Sequence, residues 1–380
     1  MKIAIIGGGI GGLSAALALR RAGFEPEVFE QAPQLLEVGA AIAVWPNAMR
    51  ILQTLGVSEA VSQRAGLIKE ARWLNWDGRL LRNFKLPQTD APAIALHRAD
   101  LQNALLHALP QQLVHLGKAF QSYQRERDLI RANFTDGTSI TCDVLIGADG
   151  IHSRTRAQEL EDGQPVYRGY TVWRGITHST PTSLTPSTAI ELYGRGQRFG
   201  IGPVGLGRTG WWATANETEV ADEIPSNRQQ KLLALFEGWH APVIELIKST
   251  PTTSIRRSST YDRAPVGNWG RDSMTLLGDA AHPTTPNLGQ GGCMAIEDAI
   301  VLANSLLKYG NPQDALRVYE KMRRARTRAV TRYSLLYGIV GQWESLPATW
   351  MRGKLFSMMP EALGQRLLRL LFEYDANALS

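Results

Sequence analysis

The first thirty residues combine short apolar runs with one segment of helical periodicity. Lys2 to Ile6 is an apolar run that predicts a buried strand, and it ends in glycines at positions 7–9. Leu13 to Ala22 is rich in Ala and Leu at helical spacing and closes at Gly23, and Pro26 to Glu30 predicts a second strand. A strand, a helix and a strand in this order predict a βαβ unit, which requires a parallel sheet.

Hydrophobic patterns further along the chain predict a mixture of helices and strands. Residues 46–55 and 98–109 have helical spacing, whereas residues 71–84 alternate around Asp77-Gly78 and predict a hairpin. A second hairpin is predicted within residues 120–141, across Asp136-Gly137. The remaining predictions are strands at 144–146 and 274–277, a strand-rich region at 167–261 with one helix at 227–239, and helices after residue 291.

These elements predict an α/β fold in which two domains are interleaved along the chain. Residues 1–70, 96–165 and 270–310 are expected to form a Rossmann-like nucleotide-binding domain with a parallel sheet. The strand-rich insertions at 71–95 and 166–269 are expected to form a β-sheet substrate domain. Residues 311–380 follow as a C-terminal helical segment.

Composition narrows the class of protein. The chain has 380 residues, 44% of them hydrophobic and 20% charged, which is typical of a globular protein. Its two cysteines, Cys142 and Cys293, cannot support a disulfide framework, and we expect both to be buried in a protein of the reducing cytoplasm. No apolar run reaches 18 residues, so no transmembrane segment is predicted. No signal peptide is expected either.

The net charge of +6 raises the question of a nucleic-acid partner. Much of the excess lies within one segment of helical spacing, where the cations spread around the helix and form no single stripe. These cations are Arg317, Lys321, Arg323, Arg324, Arg326, Arg328 and Arg332. We therefore predict a solvated helix and no nucleic acid, with attraction of an anionic nicotinamide cofactor as the alternative.

The segment from Lys354 to Phe372 is amphipathic and flanked by arginines. Its apolar positions are Leu355, Phe356, Leu363, Leu367, Leu368 and Leu371. Packing of this apolar face against the protein body is the expected arrangement. Peripheral contact with a membrane, for a lipophilic substrate, is the alternative.

A glycine fingerprint follows the first strand. Gly7 permits a tight turn, Gly9 lets the backbone approach a pyrophosphate, and Gly12 allows close packing of helix on strand. Glu30 lies 21 positions after Gly9, at the end of the second strand, where a carboxylate can accept ribose hydroxyl hydrogen bonds. The pattern predicts a dinucleotide site but does not separate FAD from NAD. No second fingerprint set between a strand and a helix is expected.

Two later motifs are similar to those of one enzyme family. The stretch Asp149 to Arg156 resembles the Asp-Gly signature, and Gly278 to Pro283 resembles the Gly-Asp signature, of single-component (group A) FAD-dependent aromatic hydroxylases and monooxygenases. The segment from Pro286 to Asp298 is similar to the 3-hydroxybenzoate hydroxylase, urate hydroxylase and zeaxanthin epoxidase branches. All three motifs occur in family order, so the resemblance covers nearly the whole chain.

The resemblance implies bound FAD, with NADH or NADPH as a transient co-substrate. It also implies that O2 forms a flavin C4a-hydroperoxide that hydroxylates or epoxidises a small aromatic or electron-rich substrate. Asp279 is expected to bind ribityl or ribose hydroxyls, and the glycines at 289, 291 and 292 to stabilise charge at the flavin N1–C2=O locus. The full set of expected FAD contacts is Gly7, Gly9, Gly11, Gly12, Glu30, Gln31, Ala41, Ala43, Arg98, Phe120, Asp149, Asp279, Leu288, Gly289, Gly291 and Gly292. For Arg98 the alternative is a salt bridge with an acid such as Asp100, and for Asp149 a cap of the following turn.

On the substrate side, the resemblance places Pro286 over the flavin. Arg198 and His282 are candidate catalytic residues, Arg198 by binding a carboxylate or phenolate and His282 as a base, although an orienting role for His282 is equally open. The expected pocket wall consists of Trp45, Val172, Trp173, Arg174, Phe199, Ile201, Trp211 and Trp212. Resemblance to the urate branch would imply a tyrosine near Trp211 or Trp212 and an aspartate at Asn287. Both are missing, so urate hydroxylation is disfavoured.

Two other functions remain open from the sequence. An FAD-dependent reductase or dehydrogenase of a lipophilic substrate would share the first motif, and O2 consumption would distinguish it. A non-catalytic FAD-binding protein is the alternative from a different class. No cluster of His, Cys and carboxylates has metal-ligand spacing, and the chain is expected to be a monomer or a homodimer.

Overall fold

The computed structural model of the chain describes residues 1–34, 40–219 and 224–379. The strands, numbered along the chain, are β1 (Lys2–Ile6), β2 (Glu25–Glu30), β3 (Ala41–Val44), β4 (Gly66–Ile68), β5 (Glu70–Asn75), β6 (Leu80–Lys85), β7 (Ala93–His97), β8 (Val114–Leu116), β9 (Phe120–Glu126), β10 (Leu129–Phe134), β11 (Ser139–Cys142), β12 (Val144–Gly147), β13 (Val166–Thr177), β14 (Thr188–Tyr193), β15 (Gln197–Pro203), β16 (Thr209–Asn216), β17 (Arg256–Asp262) and β18 (Met274–Leu276). The helices are α1 (Ile10–Arg21), α2 (Pro46–Thr54), α3 (Ser58–Ser62), α4 (Arg98–His107), α5 (Arg154–Leu160), α6 (Arg228–Leu235), α7 (Ala241–Ser249), α8 (Gly291–Lys308), α9 (Pro312–Gly341), α10 (Leu346–Met358) and α11 (Glu361–Phe372).

A five-stranded sheet of order β18-β12-β1-β2-β8 lies at the centre of the larger core, and all its pairings are parallel. Ile3, Ala4 and Ile5 of β1 are fully buried, as expected for a strand covered on both faces. Strand β1 has β2 on one side and β12 on the other, so its carboxyl end is a topological switch point. The predicted α/β class with a parallel sheet is confirmed.

A seven-stranded sheet of order β17-β13-β16-β15-β14-β5-β6 forms the second large layer. Its pairings are antiparallel except that between β14 and β5. One face of this sheet packs on a separate apolar core. The core includes Leu232 of α6, Phe236 directly after α6, and Val243 and Leu246 of α7. The opposite face is turned toward the parallel-sheet part of the molecule, where Ala41 of β3 packs next to Gly210 of β16.

Two local predictions are wrong in detail. The predicted hairpin at 120–141 is a three-stranded antiparallel sheet of β9, β10 and β11, because the chain also turns at Arg127, whose φ is +55°. The helix predicted at 227–239 ends at Leu235, and a second helix, α7, follows at 241–249. Apolar residues cluster in α7, and the pattern of short apolar runs did not distinguish this buried helix from a strand.

A buried charge cluster joins α8 to α9. The guanidinium of Arg323 is fully buried and lies 2.5 Å from Glu297 Oε2 and 2.7 Å from Asp298 Oδ1. Burial alone would raise the pKa of Asp298, but His282 and Arg323 oppose it and hold the pKa at about 2. The prediction of a solvated helix is therefore wrong for Arg323, because its guanidinium is buried. Its two acidic partners are distant in sequence, so the local pattern does not reveal them.

The amphipathic segment near the C-terminus consists of two helices. Helix α10 ends at Met358 and α11 begins at Glu361, because Pro360 disfavours helical backbone at the residue before it. In the described part of the chain, no helix is both long enough and apolar enough to cross a membrane.

We predict that replacement of Arg323 by Met will lower the free energy of unfolding by about 3–5 kcal/mol, because it leaves two buried carboxylates without their cation. Urea unfolding followed by fluorescence measures this change. Arg328→Met is the matched control, because Arg328 is exposed on the same helix. Equal stability of the two variants would show that the buried cluster contributes nothing to folding.

Candidate active site

The glycine loop lies at the carboxyl end of β1, at the switch point of the parallel sheet. Gly7 has a φ of +111°, and a Cβ atom there would lie 2.4 Å from the carbonyl oxygen of Ala148. Only glycine combines this conformation with such close contact to the neighbouring strand. Gly12 also permits a close contact, since a Cβ there would lie 1.9 Å from the Gly7 oxygen. Gly11 faces Leu277 and Ala295.

Glu30 folds back onto the same loop. Its Oε2 accepts a 2.6 Å hydrogen bond from the Gly8 N–H, and its Oε1 accepts one of 2.9 Å from the Ala32 N–H. Each carboxylate oxygen has further acceptor capacity, so a ribose hydroxyl can still bind. Gln31 follows at the surface.

The space in front of Gly9 is open. Gly9 is the residue directly before α1. A Cβ atom at Gly9 would meet no other atom within 4 Å. Free N–H groups in the first turn of α1 point toward this space and favour an anion there. The local structure therefore fits the pyrophosphate of a dinucleotide.

Asp149 caps a helix. Its Oδ1 accepts hydrogen bonds from the hydroxyls of Ser153 and Thr155, and its Oδ2 accepts them from the backbone N–H groups of Arg154 and Thr155. Both carboxylate oxygens are engaged at the start of α5. The capping role that the sequence left open is therefore present, and Asp149 holds the segment after β12 in place.

Asp279 lies in a recess beside the start of α8. The Asp279 side chain is exposed. Desolvation by the surrounding protein raises the pKa of its carboxyl, and His282 and Arg98 act in the opposite direction. The guanidinium of Arg98 is exposed and has no hydrogen bond or ion pair within the described residues. Asp100 pairs instead with Arg64 and Arg208, so the salt bridge considered for Arg98 is absent.

His282 is not placed to act as a base. It is buried, its Nε2 lies 2.6 Å from Asp298 Oδ2, and its ring packs against Trp269. The same Asp298 oxygen accepts a hydrogen bond from the Gly278 N–H. The orienting role is therefore the one that the structure supports, and the prediction of a catalytic base is corrected.

The segment from Pro286 to Gly292 forms a glycine-rich loop that leads into α8. Pro286 is exposed, Leu288 is partly exposed, and Gly289 has a φ of +61°. A Cβ at Gly289 would lie 3.0 Å from Trp45 Nε1 and 3.7 Å from Ala43 Cβ, and one at Gly292 would lie 3.0 Å from Ile42. The loop and strand β3 therefore lie close together, as the expected flavin contacts required.

Below this loop lies the buried thiol of Cys293. Its Sγ accepts from the Trp45 N–H at 3.5 Å and lies 3.8 Å from the Gly289 oxygen. Trp45 stacks on Phe372 of α11 at 4.8 Å, and its Nε1 is buried without an acceptor among the described residues. That indole N–H is a donor to which a ligand could bind.

Arg198 holds the loop against the seven-stranded sheet. Its Nε, NH1 and NH2 donate to Gln342 at 2.8 Å, Glu191 at 3.2 Å and Asn287 at 2.6 Å. The side chain is buried and stacks on the rings of Tyr170 and Trp212. Three of its five N–H donors are directed to protein acceptors, which supports a positioning role for Arg198, and its binding of a substrate oxygen stays a prediction.

Asn287 is equally well satisfied. Its Nδ2 donates to Thr285 Oγ1 and to the Ser334 carbonyl oxygen, both at 2.9 Å, and also lies 3.0 Å from Tyr170 Oη. An amide is needed for these donated hydrogen bonds, and a carboxylate could not make them. This provides a physical reason for the departure from the aspartate of the urate branch.

Strand alternation divides the predicted pocket residues into two groups. Val172, Arg174 and Trp212 share the sheet face of Arg198, which is the face toward the glycine-rich loop. The prediction is wrong for the other four strand residues, which point into the opposite core between the sheet, α6 and α7. These four are Trp173, Phe199, Ile201 and Trp211.

Phe120 also departs from its predicted role. Its ring is buried in the larger core, so its side chain cannot line the cleft. Its carbonyl oxygen accepts a hydrogen bond of 3.2 Å from Arg154. Within residues 1–34, 40–219 and 224–379, no three His, Cys, Asp or Glu side chains are grouped to hold a metal ion.

Several residues that build the site carry no local sequence signal. Arg323 and Gln342 lie on or beside α9, far from every motif, and Glu191 and Tyr337 join in a buried group with Arg198. For Asn287, the sequence shows only a departure from the aspartate of the urate branch. Each of these residues acts through long-range contacts, which no local motif encodes.

Comparison with known proteins identifies relatives over nearly the whole chain. A family model described as an FAD binding domain matches residues 1–334. The aurachin C monooxygenase/isomerase of Stigmatella aurantiaca is 40% identical over 363 residues, which cover 94% of each chain. The 3-amino-4-hydroxybenzoate 2-monooxygenase of Streptomyces cremeus is 36% identical over 346 residues, covering 87% of this chain and 85% of the relative.

A solved structure is similar over the same length. Klebsiella pneumoniae HpxO complexed with FAD and uric acid has a TM-score of 0.92 and 30% sequence identity. The match covers 98% of this chain and 96% of that chain.

We predict that Gly9→Val will weaken FAD binding by at least about tenfold, which corresponds to ~1.4 kcal/mol, because the new side chain occupies the expected pyrophosphate space. The apoprotein should keep its thermal midpoint, since a Cβ at position 9 meets no protein atom within 4 Å. Fluorescence titration with FAD and thermal melting measure the two effects.

Gly310→Val is the matched control, because it too adds a side chain in open space, at the exposed turn before α9. Its FAD affinity should equal that of the parent chain. Unchanged FAD affinity in Gly9→Val would place the pyrophosphate elsewhere.

Proposed function

The chain belongs to the family that carries this FAD binding domain and is an FAD-dependent monooxygenase, and we propose that it takes electrons from NADH or NADPH and hydroxylates or epoxidises a flat, electron-rich aromatic substrate with O2. The family resemblance inferred from its motifs is confirmed. The nicotinamide donor and the substrate class are the proposed parts, and they rest on the features described below.

The observation that carries the proposed substrate class is the open space at Gly202, on the sheet face toward the glycine-rich loop. Gly200 and Gly202 of β15 and Gly210 of β16 share this face. A Cβ at Gly202 would meet nothing within 4 Å. A Cβ at Gly200 would instead meet the indole of Trp212 at 2.1 Å, so Trp212 lies flat across the strand.

We define the substrate chamber as the space bounded by Gly202, Trp212 and Arg174 on the sheet and by Trp45 beside the loop. An apolar cluster borders it, in which Trp45 joins residues of β4, β7 and β14, among them Ile68, Ala95 and Ala189. Flat apolar surfaces and a small number of polar groups are typical of sites for aromatic ligands. A planar ring fits this chamber better than a branched aliphatic substrate would.

Arg174 supplies the proposed polar contact. It donates one 2.8 Å hydrogen bond to Ser258 Oγ and forms no ion pair within the described residues. Burial, and then the nearby Arg98, lower its pKa to about 10, so it stays protonated at neutral pH. A half-buried cation without a carboxylate partner favours a substrate oxygen that carries negative charge. We therefore propose a phenolate, enolate or carboxylate on the aromatic substrate.

Bound FAD would supply the redox chemistry with O2, and residues of the chain would hold and orient it. Gly9 and the start of α1 would receive the pyrophosphate, and Asp279 would accept hydrogen bonds from ribityl or ribose hydroxyls. The N–H groups at the start of α8 would stabilise negative charge on the ring. Trp45, Pro286 and Trp212 would exclude water from the reacting face.

Uric acid, which the similar Klebsiella structure contains, is not proposed as the substrate. The amide of Asn287 is fully engaged with Arg198, Thr285 and Ser334, so this group has no basic oxygen available for proton removal.

The proposed activity is tested by oxidation of NADH and NADPH and by O2 uptake, measured with purified FAD-loaded protein. A panel of phenols, hydroxylated nitrogen heterocycles and aromatic acids should include compounds that stimulate both rates and yield a product heavier by one oxygen atom. Stimulated nicotinamide oxidation without O2 uptake would indicate a dehydrogenase. Bound FAD that is reduced by neither nicotinamide would contradict the proposed electron donor.

We predict that Gly202→Leu will lower kcat/KM for a stimulating substrate by at least about tenfold, because each added methylene in the chamber opposes binding by about 1–3 kcal/mol. The flavin spectrum and the thermal midpoint should not change, since the side chain enters open space. Steady-state kinetics with a small and a bulky substrate measure the effect, which should be larger for the bulky one.

The matched control is Gly267→Leu, which adds the same side chain to an exposed turn with open space. Its kinetics should match those of the parent chain. Equal kcat/KM for Gly202→Leu and the control would place the substrate outside the chamber.

A further inference from the structure

Large apolar side chains are exposed unevenly over the molecule. Among the described residues, 22 large hydrophobic side chains are exposed, and 11 of them lie between Tyr333 and Leu370. Met358 is 75% exposed, Trp350 68% and Leu346 65%. Single exposed apolar residues are normal, but a concentration of this size marks a surface that contacts another phase or molecule.

We define the apolar patch as the exposed hydrophobic residues of α10 and α11. On each helix these residues recur at intervals of three or four positions, with Trp350 and Met351 adjacent, so they cluster on one side of the helix. The patch consists of Leu346, Trp350, Met351, Leu355 and Met358 on α10 and of Leu363, Leu367 and Leu370 on α11.

The inner side of α10 is held against the rest of the protein by buried contacts, so the patch faces outward. Arg352 is buried and donates to the carbonyl oxygens of Gly341 at 2.8 Å and Gly194 at 2.6 Å. Phe356 packs on Trp73 with a centroid distance of 4.3 Å. The expectation that the apolar positions pack against the body therefore holds for Phe356 but is wrong for Leu355, Leu363 and Leu367, which are exposed.

The charges interspersed in the patch are mainly basic. Lys354, Arg366 and Arg369 are exposed between 346 and 370, and Glu361 is the exposed acid in that range. Lys354 lies 5.9 Å from the ring of Trp350, and Arg369 is 3.7 Å from the exposed Glu373. Long basic side chains beside Trp and Leu are typical of helices that lie in the interface of an anionic bilayer.

The sign of the charge also argues against a second copy as the occupant. In a two-fold symmetric dimer, the same patch would face itself and bring the three cations close to their own counterparts. An anionic lipid surface instead complements them, and each basic residue near such a surface contributes about 1 kcal/mol to binding.

We propose that the apolar patch docks the enzyme onto an anionic membrane surface, with α10 and α11 lying in the interface and no helix crossing it. The patch adjoins the substrate chamber, because Phe372 at the end of α11 stacks on Trp45. Docking would place the chamber beside the bilayer and suit an aromatic substrate with a lipophilic substituent. Membrane binding itself does not depend on the identity of the substrate.

The test is cosedimentation of the FAD-loaded protein with vesicles of phosphatidylcholine containing about 30% phosphatidylglycerol. The protein should sediment with these vesicles and should bind vesicles of pure phosphatidylcholine at least about tenfold more weakly. Added salt should reduce the binding, because it screens the basic residues. Flavin absorbance of the same samples reports that the protein is folded, so the result is independent of turnover.

The double variant Trp350→Glu/Met358→Glu should lose at least about tenfold in vesicle partitioning, since two apolar anchors become charged. Its control is Ile224→Glu/Leu307→Glu, which alters two equally exposed apolar residues outside the patch, 66% and 62% exposed. The control should bind like the parent chain. Lys354→Glu/Arg366→Glu should lose binding to the anionic vesicles only.

Absence of cosedimentation, or an equal loss in the control variant, would overturn the proposal. Analytical ultracentrifugation tests whether a second copy of the chain covers the patch instead of a membrane. A dimer that Trp350→Glu/Met358→Glu converts to a monomer, without any vesicle binding by the parent chain, would assign the patch to self-association instead.

Discussion

A buried guanidinium, that of Arg323, lies between two buried carboxylates of the neighbouring helix. Removing these charges from water costs several kcal/mol for each ion, so α8 and α9 can pack only in the register that brings the three groups together. Asp298 then uses its other oxygen to hold the Gly278 N–H and His282. Through these bonds the same cluster fixes the turn that carries Asp279 and the start of α8, where the flavin is expected to lie.

The far end of α9 makes a second attachment. A Cβ at Gly338 would lie 2.4 Å from Asn287 Nδ2, and one at Gly341 would lie 2.9 Å from Arg198, so both glycines allow the helix to approach the polar group that joins loop and sheet. One helix therefore contacts the parallel-sheet core near one end and the seven-stranded sheet near the other. The two halves of the site are aligned by this shared helix, because both ends have demanding polar partners.

The parts of the fold that could be predicted from sequence are those encoded locally. The strand, the glycines and Glu30 follow one another within thirty residues, and the Asp149 and Asp279 motifs each sit directly after a strand. Alternation within β13 and β15 also separates Trp173 and Phe199 from the chamber side. In contrast, the partners of Arg323 and Arg198 come from distant segments, and an isolated arginine carries no sign of which acid or amide it will meet. Helix α7 was missed because a short buried helix and a buried strand share the same apolar composition.

The environment of Cys293 has a consequence for the durability of the enzyme. An active site that activates O2 exposes its own side chains to oxidising species, and cysteine is attacked chiefly as the thiolate. Burial raises the pKa of Cys293 to about 12, although the thiol lies directly below the glycine-rich loop. At neutral pH almost none of it is ionised. The Cys293 sulfur, which lies beside the expected flavin site, therefore stays unreactive toward oxidants over many catalytic cycles.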